Sequence, residues 1–239
     1  MSTRNTIGGP APHKRINPLA AGTTDGPSEL LFESPRSLRS VRVAIAGGHG
    51  QIALRLAKIL SARGDEIVAL IRNPDHRVDV RTAGAEPVVI DLEQASEDDV
   101  ARAIVGCDAV VFAAGAGPGS GPDRKETVDY GAAAKLITAA QRAGVGRYVI
   151  VSSMGADSHA AGDDTFSVYL RAKGRADDAV RESGLDWTVV RPGGLTNDPG
   201  SGHVALGSSM PHGQVSRDDV AAVIAPCSTR RTLSAVPST

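Results

Sequence analysis

A chain of 239 residues with 26 basic and 27 acidic side chains has a formal charge of −1, which gives no reason to expect nucleic acid or an anionic membrane as a partner. Its length suits one sizeable α/β domain. Cys107 and Cys227 stand far apart without metal-ligand spacing, no apolar run is long enough to span a bilayer, and the N-terminus lacks the apolar core of a secretory signal. These features predict a metal-free protein of the reducing cytoplasm.

Residues 1–40 carry Pro10, Pro12, Pro18, Pro27 and Pro35 and no sustained period of two or 3.6, so they read as a disordered extension. The folded domain is expected over 41–239. It opens with the apolar strand Val41–Ala46, a turn of Gly47, Gly48 and Gly50, and a helix marked by Ile52, Leu56, Ile59 and Leu60. Glycines accept left-handed backbone angles and close approach, while a helix start presents unpaired N–H groups and a positive dipole end. The stretch Gly47, Gly48, His49, Gly50, Gln51 and Ile52 is therefore the candidate cradle for a diphosphate. Its spacing, Gly47-x-x-Gly50-x-x-Ala53, is a dinucleotide-binding variant with alanine in the last glycine position.

A second strand, Glu66–Ile71, leads into Arg72. Near this point an acidic side chain binds the ribose 2′-hydroxyl of NAD, whereas arginine accommodates the 2′-phosphate of NADP. No acid stands at this point, and Arg77 and Arg81 follow, so NADP(H) is favoured over NAD(H). A third strand, Pro87–Ile90, ends at Asp91 and Leu92, and Ser96 can cap a helix whose first turn holds Glu97, Asp98 and Asp99. The fourth strand, Ala109–Ala113, runs into Ala114, Gly115 and further small residues, which leave room for a ligand against the backbone.

Asp123 to Gly144 has helical periodicity, Arg147–Val151 is a fifth strand ending in Ser152 and Ser153, and Val168–Ser183 is a helix. On that helix Tyr169 and Lys173 share a face one turn apart, and a nearby ammonium lowers a phenol's pKa toward the range useful for proton transfer. Trp187–Val190 is the sixth strand, and Trp187, the sole indole, reads as lying near the site. Residues 192–214 form an irregular substrate loop, with His203 and His212 read as solvated. Asp218–Ile224 is a last helix, interrupted soon after by Pro226, and Thr232–Val236 an edge strand. Alternating strands and helices predict an α/β fold with a doubly wound parallel sheet.

Over about residues 41–236 the chain resembles the short-chain dehydrogenase/reductase superfamily. Within it the likeness is to the atypical single-domain NAD(P)-binding branch, related to extended epimerases and to flavin or biliverdin reductases. The likeness rests on GGHGQIA at 47–53, Arg72, IDL at 90–92, FAAGAG at 112–117, VDYGAAAKLITAAQRAGVGRYVIVSS at 128–153, YLRAK at 169–173, LDWTVVRPGGLT at 185–196 and VSRDDVA at 215–221. It implies a Rossmann fold and a reductase or dehydrogenase site. In such a site Tyr169 would exchange a proton with the substrate oxygen, and Lys173 would hold the nicotinamide ribose and lower the tyrosine's pKa. Ser153, with Ser152 as the second choice, would hydrogen-bond the carbonyl. Asp91 and Leu92 would border the adenine, Ala113, Ala114 and Gly115 would back the cofactor, and Arg191, Pro192 and Gly193 would flank the nicotinamide.

Two positions depart from the pattern of the branch. Asp129 stands where many relatives have an asparagine that relays protons, and Pro226 falls in the last helix. The expected function is NADP-dependent hydride transfer to a small carbonyl or a quinone- or flavin-like acceptor. The alternatives are a sugar-type epimerase or dehydratase and a non-enzymatic NADP(H) redox sensor. Self-association into a homo-oligomer stays open.

Overall fold

The computed structural model describes residues 40–117, 119–207 and 210–229, so the expected extension before residue 40 and the expected strand at 232–236 lie outside the described residues. Six parallel strands form the central sheet: β1 (Arg42–Ala46), β2 (Glu66–Ile71), β3 (Glu86–Val89), β4 (Ala109–Phe112), β5 (Arg147–Val151) and β6 (Asp186–Val190). Their spatial order is β3-β2-β1-β4-β5-β6. The order reverses between β1 and β4, and at such a switch point the loops leaving two strands part and open a crevice at their carboxyl ends.

Strand side chains alternate between two apolar layers, which is why the strands read as unbroken hydrophobic runs. Val43, Ile45, Ile67 and Val111 pack with Leu56 and Leu60 of α1 (Gln51–Ala62) and Ile224 of α7 (Arg217–Thr229). On the opposite face Ala44, Val68, Val110, Phe112, Tyr148 and Ile150 meet Val100 of α3 (Glu97–Ala103), Leu136 of α5 (Ala133–Ala143) and Val180 of α6 (Thr165–Glu182). The doubly wound parallel sheet expected from the sequence is thus the observed one.

Local signals hold at most boundaries. The Ser96 hydroxyl accepts from the Asp99 amide at 3.1 Å at the start of α3, and α5 stops at Gly144 in the left-handed region, φ 71°. Four expectations need correction. Between β2 and β3 lie a 3-10 turn (Pro74–His76), capped by Asn73, and α2 (Arg77–Thr82), which periodicity did not reveal. The single helix expected from Asp123 to Gly144 is α4 (Pro122–Arg124), then a π-helical segment (Lys125–Ala132), then α5. Its wider turns bury Lys125, Val128, Asp129 and Ala132 on one side. Loop 192–214 includes β7 (Gly194–Thr196) and leads into β8 (Gln214–Ser216), which pair in parallel. Finally, α7 continues through Pro226 to Thr229, so the proline's missing amide does not end it.

Candidate functional site

At the switch point a cleft of about 440 Å³ is lined by Gly47, Gly48, His49 and Gly50 from the first turn, by Arg72, Asn73 and His76 after β2, by Asp91, Leu92 and Glu93 after β3, and by Ala113, Ala114 and Gly115 after β4. The turn needs its glycines. Gly47 has φ +77°, and a Cβ there would stand 2.6 Å from the Ala114 Cα; a Cβ on Gly48 would stand 2.6 Å from that of Ala69. The N-cap of α1 is Gly50, no side chain caps the helix, and its first turn holds no acid. The first-turn amides therefore face the cleft without intrahelical acceptors, a donor set that fits a diphosphate. Gln51 and Ile52 do not line the cleft: Gln51 is exposed at the start of α1, and Ile52 is 9% exposed within the core.

The far wall of the cleft carries an acid that the sequence did not locate. Glu93 receives Arg124 at 2.7 Å, Thr127 at 2.7 Å and Arg72 at 3.3 Å. Burial works to raise its carboxyl, but the hydrogen bonds from Arg124 and Thr127 and the charges of Arg124 and Arg72 prevail and hold it low. Glu93 thus faces two guanidinium groups, and Asp91 lines the same end of the cleft, so two carboxylates stand against two guanidinium groups there. His49 and His76 stack beside it with ring centroids 3.5 Å apart, and His49 Nε2 lies 2.9 Å from Asp79.

Beyond Ala113–Gly115 the second half of the site is built from α6, β5 and the π-helical segment. The buried Lys173 ammonium donates to the Val151 carbonyl at 3.1 Å and lies 3.2 Å from Asp129 Oδ1, the two residues being 4% and 1% exposed. Asp129 in turn accepts from the Ala116 amide at 3.2 Å. Lys173 Nζ lies 6.0 Å from the centre of the Tyr169 ring, and Lys125 Nζ, bonded to the Gly117 carbonyl at 2.8 Å, lies 5.5 Å from it. Position 174 is fixed by contact: a Cβ on Gly174 would come within 2.1 Å of the Ser158 amide, so the loop after Ser153 lies directly on α6.

The expected lowering of the Tyr169 phenol is not what this arrangement produces. Burial pushes it up, against a hydrogen bond from Ser153, and the carboxylates of Asp129 and Asp177 push the same way. The main physical reason is burial, which penalises the phenolate, and Lys173, the nearby cation expected to offset it, lies against Asp129. Ser152 and Ser153 also divide their roles. The Ser152 hydroxyl donates to Asp177 at 2.9 Å in the interior, which leaves Ser153 as the serine beside Tyr169.

Asp177 escaped sequence analysis, although Tyr169, Lys173 and Asp177 repeat every four residues along one face of α6. It is fully buried and receives Arg191 Nε at 2.8 Å; burial pushes its carboxyl up, opposed by the bonds from Ser152 and Arg191. Arg191 is thereby tied to α6. Pro192 binds the Met154 amide through its carbonyl at 2.9 Å, and Gly193 lies against the Gly213 carbonyl, so the Arg191-Pro192-Gly193 turn braces the loop after β5; like Ser153, Tyr169 and Lys173, it lies outside the lining of the diphosphate and adenine half of the cleft. Trp187 is also displaced from its expected place. It pairs with Tyr148 at the amino-terminal half of β6, away from the carboxyl edge.

Residues 47–230 match the model of a family described as NAD(P)H-binding. A Bacillus subtilis protein called an uncharacterized sugar epimerase, YhfK, is 38% identical over 77% of this chain and 86% of its own length. Among solved structures, one from Bacillus halodurans named for an NAD-dependent epimerase/dehydratase is 37% identical, covers 80% of this chain and 89% of that one, and superposes with a TM-score of 0.72. The oxidoreductase ylbE from Lactococcus lactis is 26% identical over 77% of this chain and 83% of its own, with a TM-score of 0.67. A switch-point cleft of this shape and these likenesses lead to one conclusion: the chain belongs to the NAD(P)H-binding family, in the atypical short-chain dehydrogenase/reductase class.

Proposed function

We propose that the protein is an NADP(H)-dependent oxidoreductase that reduces a small carbonyl or a quinone- or flavin-like acceptor. What supports this reading is an unbroken line of contacts from the diphosphate cradle to a proton-carrying side chain. Gly47 packs on Ala114, Gly115 and Ala116 cover Asp129, Asp129 pairs with Lys173, and Lys173 underlies Tyr169, which Ser153 meets from β5. A nicotinamide dinucleotide extended along that line would supply the hydride. Ser153 then orients the carbonyl, and Tyr169 gives its proton to the carbonyl oxygen. Lys173, with one N–H on Val151 and another toward Asp129, keeps a third for the ribose hydroxyls. The preference for NADP(H) rests on Arg72, whose largely exposed guanidinium stands just after β2, where the 2′-phosphate would lie.

Replacing Tyr169 with Phe tests the chemistry: NADPH oxidation over a panel of carbonyls should fall by about 100-fold or more. Activity untouched by the swap removes Tyr169 as the acid. The names of the Bacillus relatives favour a second reading, a sugar epimerase or dehydratase in which hydride is borrowed and returned. That reading predicts turnover of a sugar nucleotide without net consumption of NADPH.

A further inference from the structure

Every charged group around Tyr169 has a place in the structure. On its own helix, Lys173 and Asp177 follow at four and eight residues. From the π-helical segment come Asp129, on Lys173, and Lys125, on the Gly117 carbonyl. From the end of β5 come Ser153, beside the phenol, and Ser152, on Asp177, which also holds Arg191. Arg124 of α4 is engaged by Glu93, and Arg175, the next basic residue on α6, by Glu126. Two ammonium groups stand near the Tyr169 ring, Lys125 at 5.5 Å and Lys173 at 6.0 Å from its centre, and the second, one helical turn along α6, sits 3.2 Å from a carboxylate 1% exposed. Two opposite charges this close in a dry setting act on a third group as a dipole, whose influence falls off much faster than that of a free charge.

We propose that Asp129 neutralises Lys173 and so keeps Tyr169 in its proton-bearing form, which makes this site a proton donor working in the direction of reduction. The inference rests on the oxidoreductase reading above and adds its direction. In reduction the carbonyl carbon takes the hydride, the carbonyl oxygen takes the phenolic proton, and the products are an alcohol, the oxidised nucleotide and a phenolate that water reprotonates. The reverse reaction needs the phenolate at the outset and so waits for alkaline solution. Asp129 is a positioning residue in this scheme: it acts through Lys173 and touches no reacting atom. An epimerase that begins by oxidising its sugar would gain nothing from such an arrangement.

The test is an ultraviolet titration of phenolate absorbance on ligand-free protein. Subtracting the curve of Tyr169→Phe from that of the wild type isolates Tyr169 from Tyr130 and Tyr148. In the wild type Tyr169 should ionise above about 10, the ordinary tyrosine value. In Asp129→Asn the midpoint should drop by about one pH unit or more as Lys173 becomes an uncompensated charge. In Asp129→Asn with Lys173→Met it should return toward the wild-type value, which assigns the effect to Lys173 and not to Lys125. A wild-type midpoint below about 9, an unmoved midpoint in Asp129→Asn, or a double variant that titrates like Asp129→Asn would each overturn the proposal. If Asp129→Asn does not fold, the wild type alone still refutes the proposal when its midpoint lies below about 9. NADPH affinity measured by calorimetry on the same samples judges the underlying reading separately.

Discussion

The glycine turn offers a controlled perturbation, because Gly47 and Gly64 share a backbone conformation and differ in surroundings. Gly47 has φ +77° and Gly64 φ +83°. A Cβ at Gly64 would meet nothing within 4 Å, whereas at Gly47 it would stand 2.6 Å from the Ala114 Cα and 2.8 Å from its amide nitrogen. Gly64→Ala should therefore cost only the left-handed conformation, about 1–2 kcal/mol. Gly47→Ala adds the displacement of backbone against backbone, about 1–3 kcal/mol more. With a urea slope of about 2 kcal/mol/M, the midpoint should fall by roughly 0.5–1 M in the first variant and by roughly 1–2.5 M in the second. Calorimetry with NADPH should show affinity kept in Gly64→Ala and lowered about tenfold or more in Gly47→Ala, since the moved loop carries the donors to the diphosphate. Equal midpoints for the two variants, or undiminished affinity in Gly47→Ala, would refute the close-packed cradle.

Other expectations follow from the same contacts. Arg72→Ala should weaken NADPH by about 10–100-fold while leaving NADH nearly unchanged, as the loss of a charge-assisted bond to phosphate requires, and parallel titrations will read the ratio. Arg191→Met strips the buried Asp177 of its counterion; because Arg191 is partly exposed, the cost should be about 2 kcal/mol, visible in urea unfolding, with NADPH affinity retained. If affinity falls instead, Arg191 reaches the nucleotide after all. At Asp219 the Ser201 and Gly202 amides hold the carboxyl below its usual value, helped by the hydroxyls of Ser216 and Ser201. A lowered folded value means that this contribution is present above the unfolded Asp value near 4 and is lost as pH falls through the folded one. Limited proteolysis near residues 200–207 should thus accelerate in acid, and Asp219→Asn should abolish that dependence.

The amino-acid sequence by itself determined the fold and the first half of the site. Apolar strands such as Val43-Ala44-Ile45-Ala46, buried on both faces, require a covered parallel sheet, and Ser96 and Gly144 mark helix ends through interactions confined to a few neighbouring residues. The glycine turn was legible from three glycines within four positions, although the backbone and side chain that leave no room there, at Ala114 after β4 and Ala69 in β2, come from other parts of the chain. Tyr169 and Lys173 were legible as a pair because helical spacing alone places them together.

What only the tertiary structure decided is the electrostatic character of that pair and of the adenine end. Arg72 meets Glu93 across 21 positions because parallel strands bring their loops to one carboxyl edge, and Ser152 meets Asp177 across 25 because α6 packs against the end of β5. Likewise Asp129 reaches Lys173 only because a π-helical segment turns it inward against α6. Trp187 was misplaced for a related reason: a period-two pattern gives the face on which a strand residue lies but not the end of the sheet to which register assigns it. Periodicity is a property of neighbours, whereas the proton affinity of a buried group depends on every charge within several ångströms, and those charges are gathered only when the chain folds.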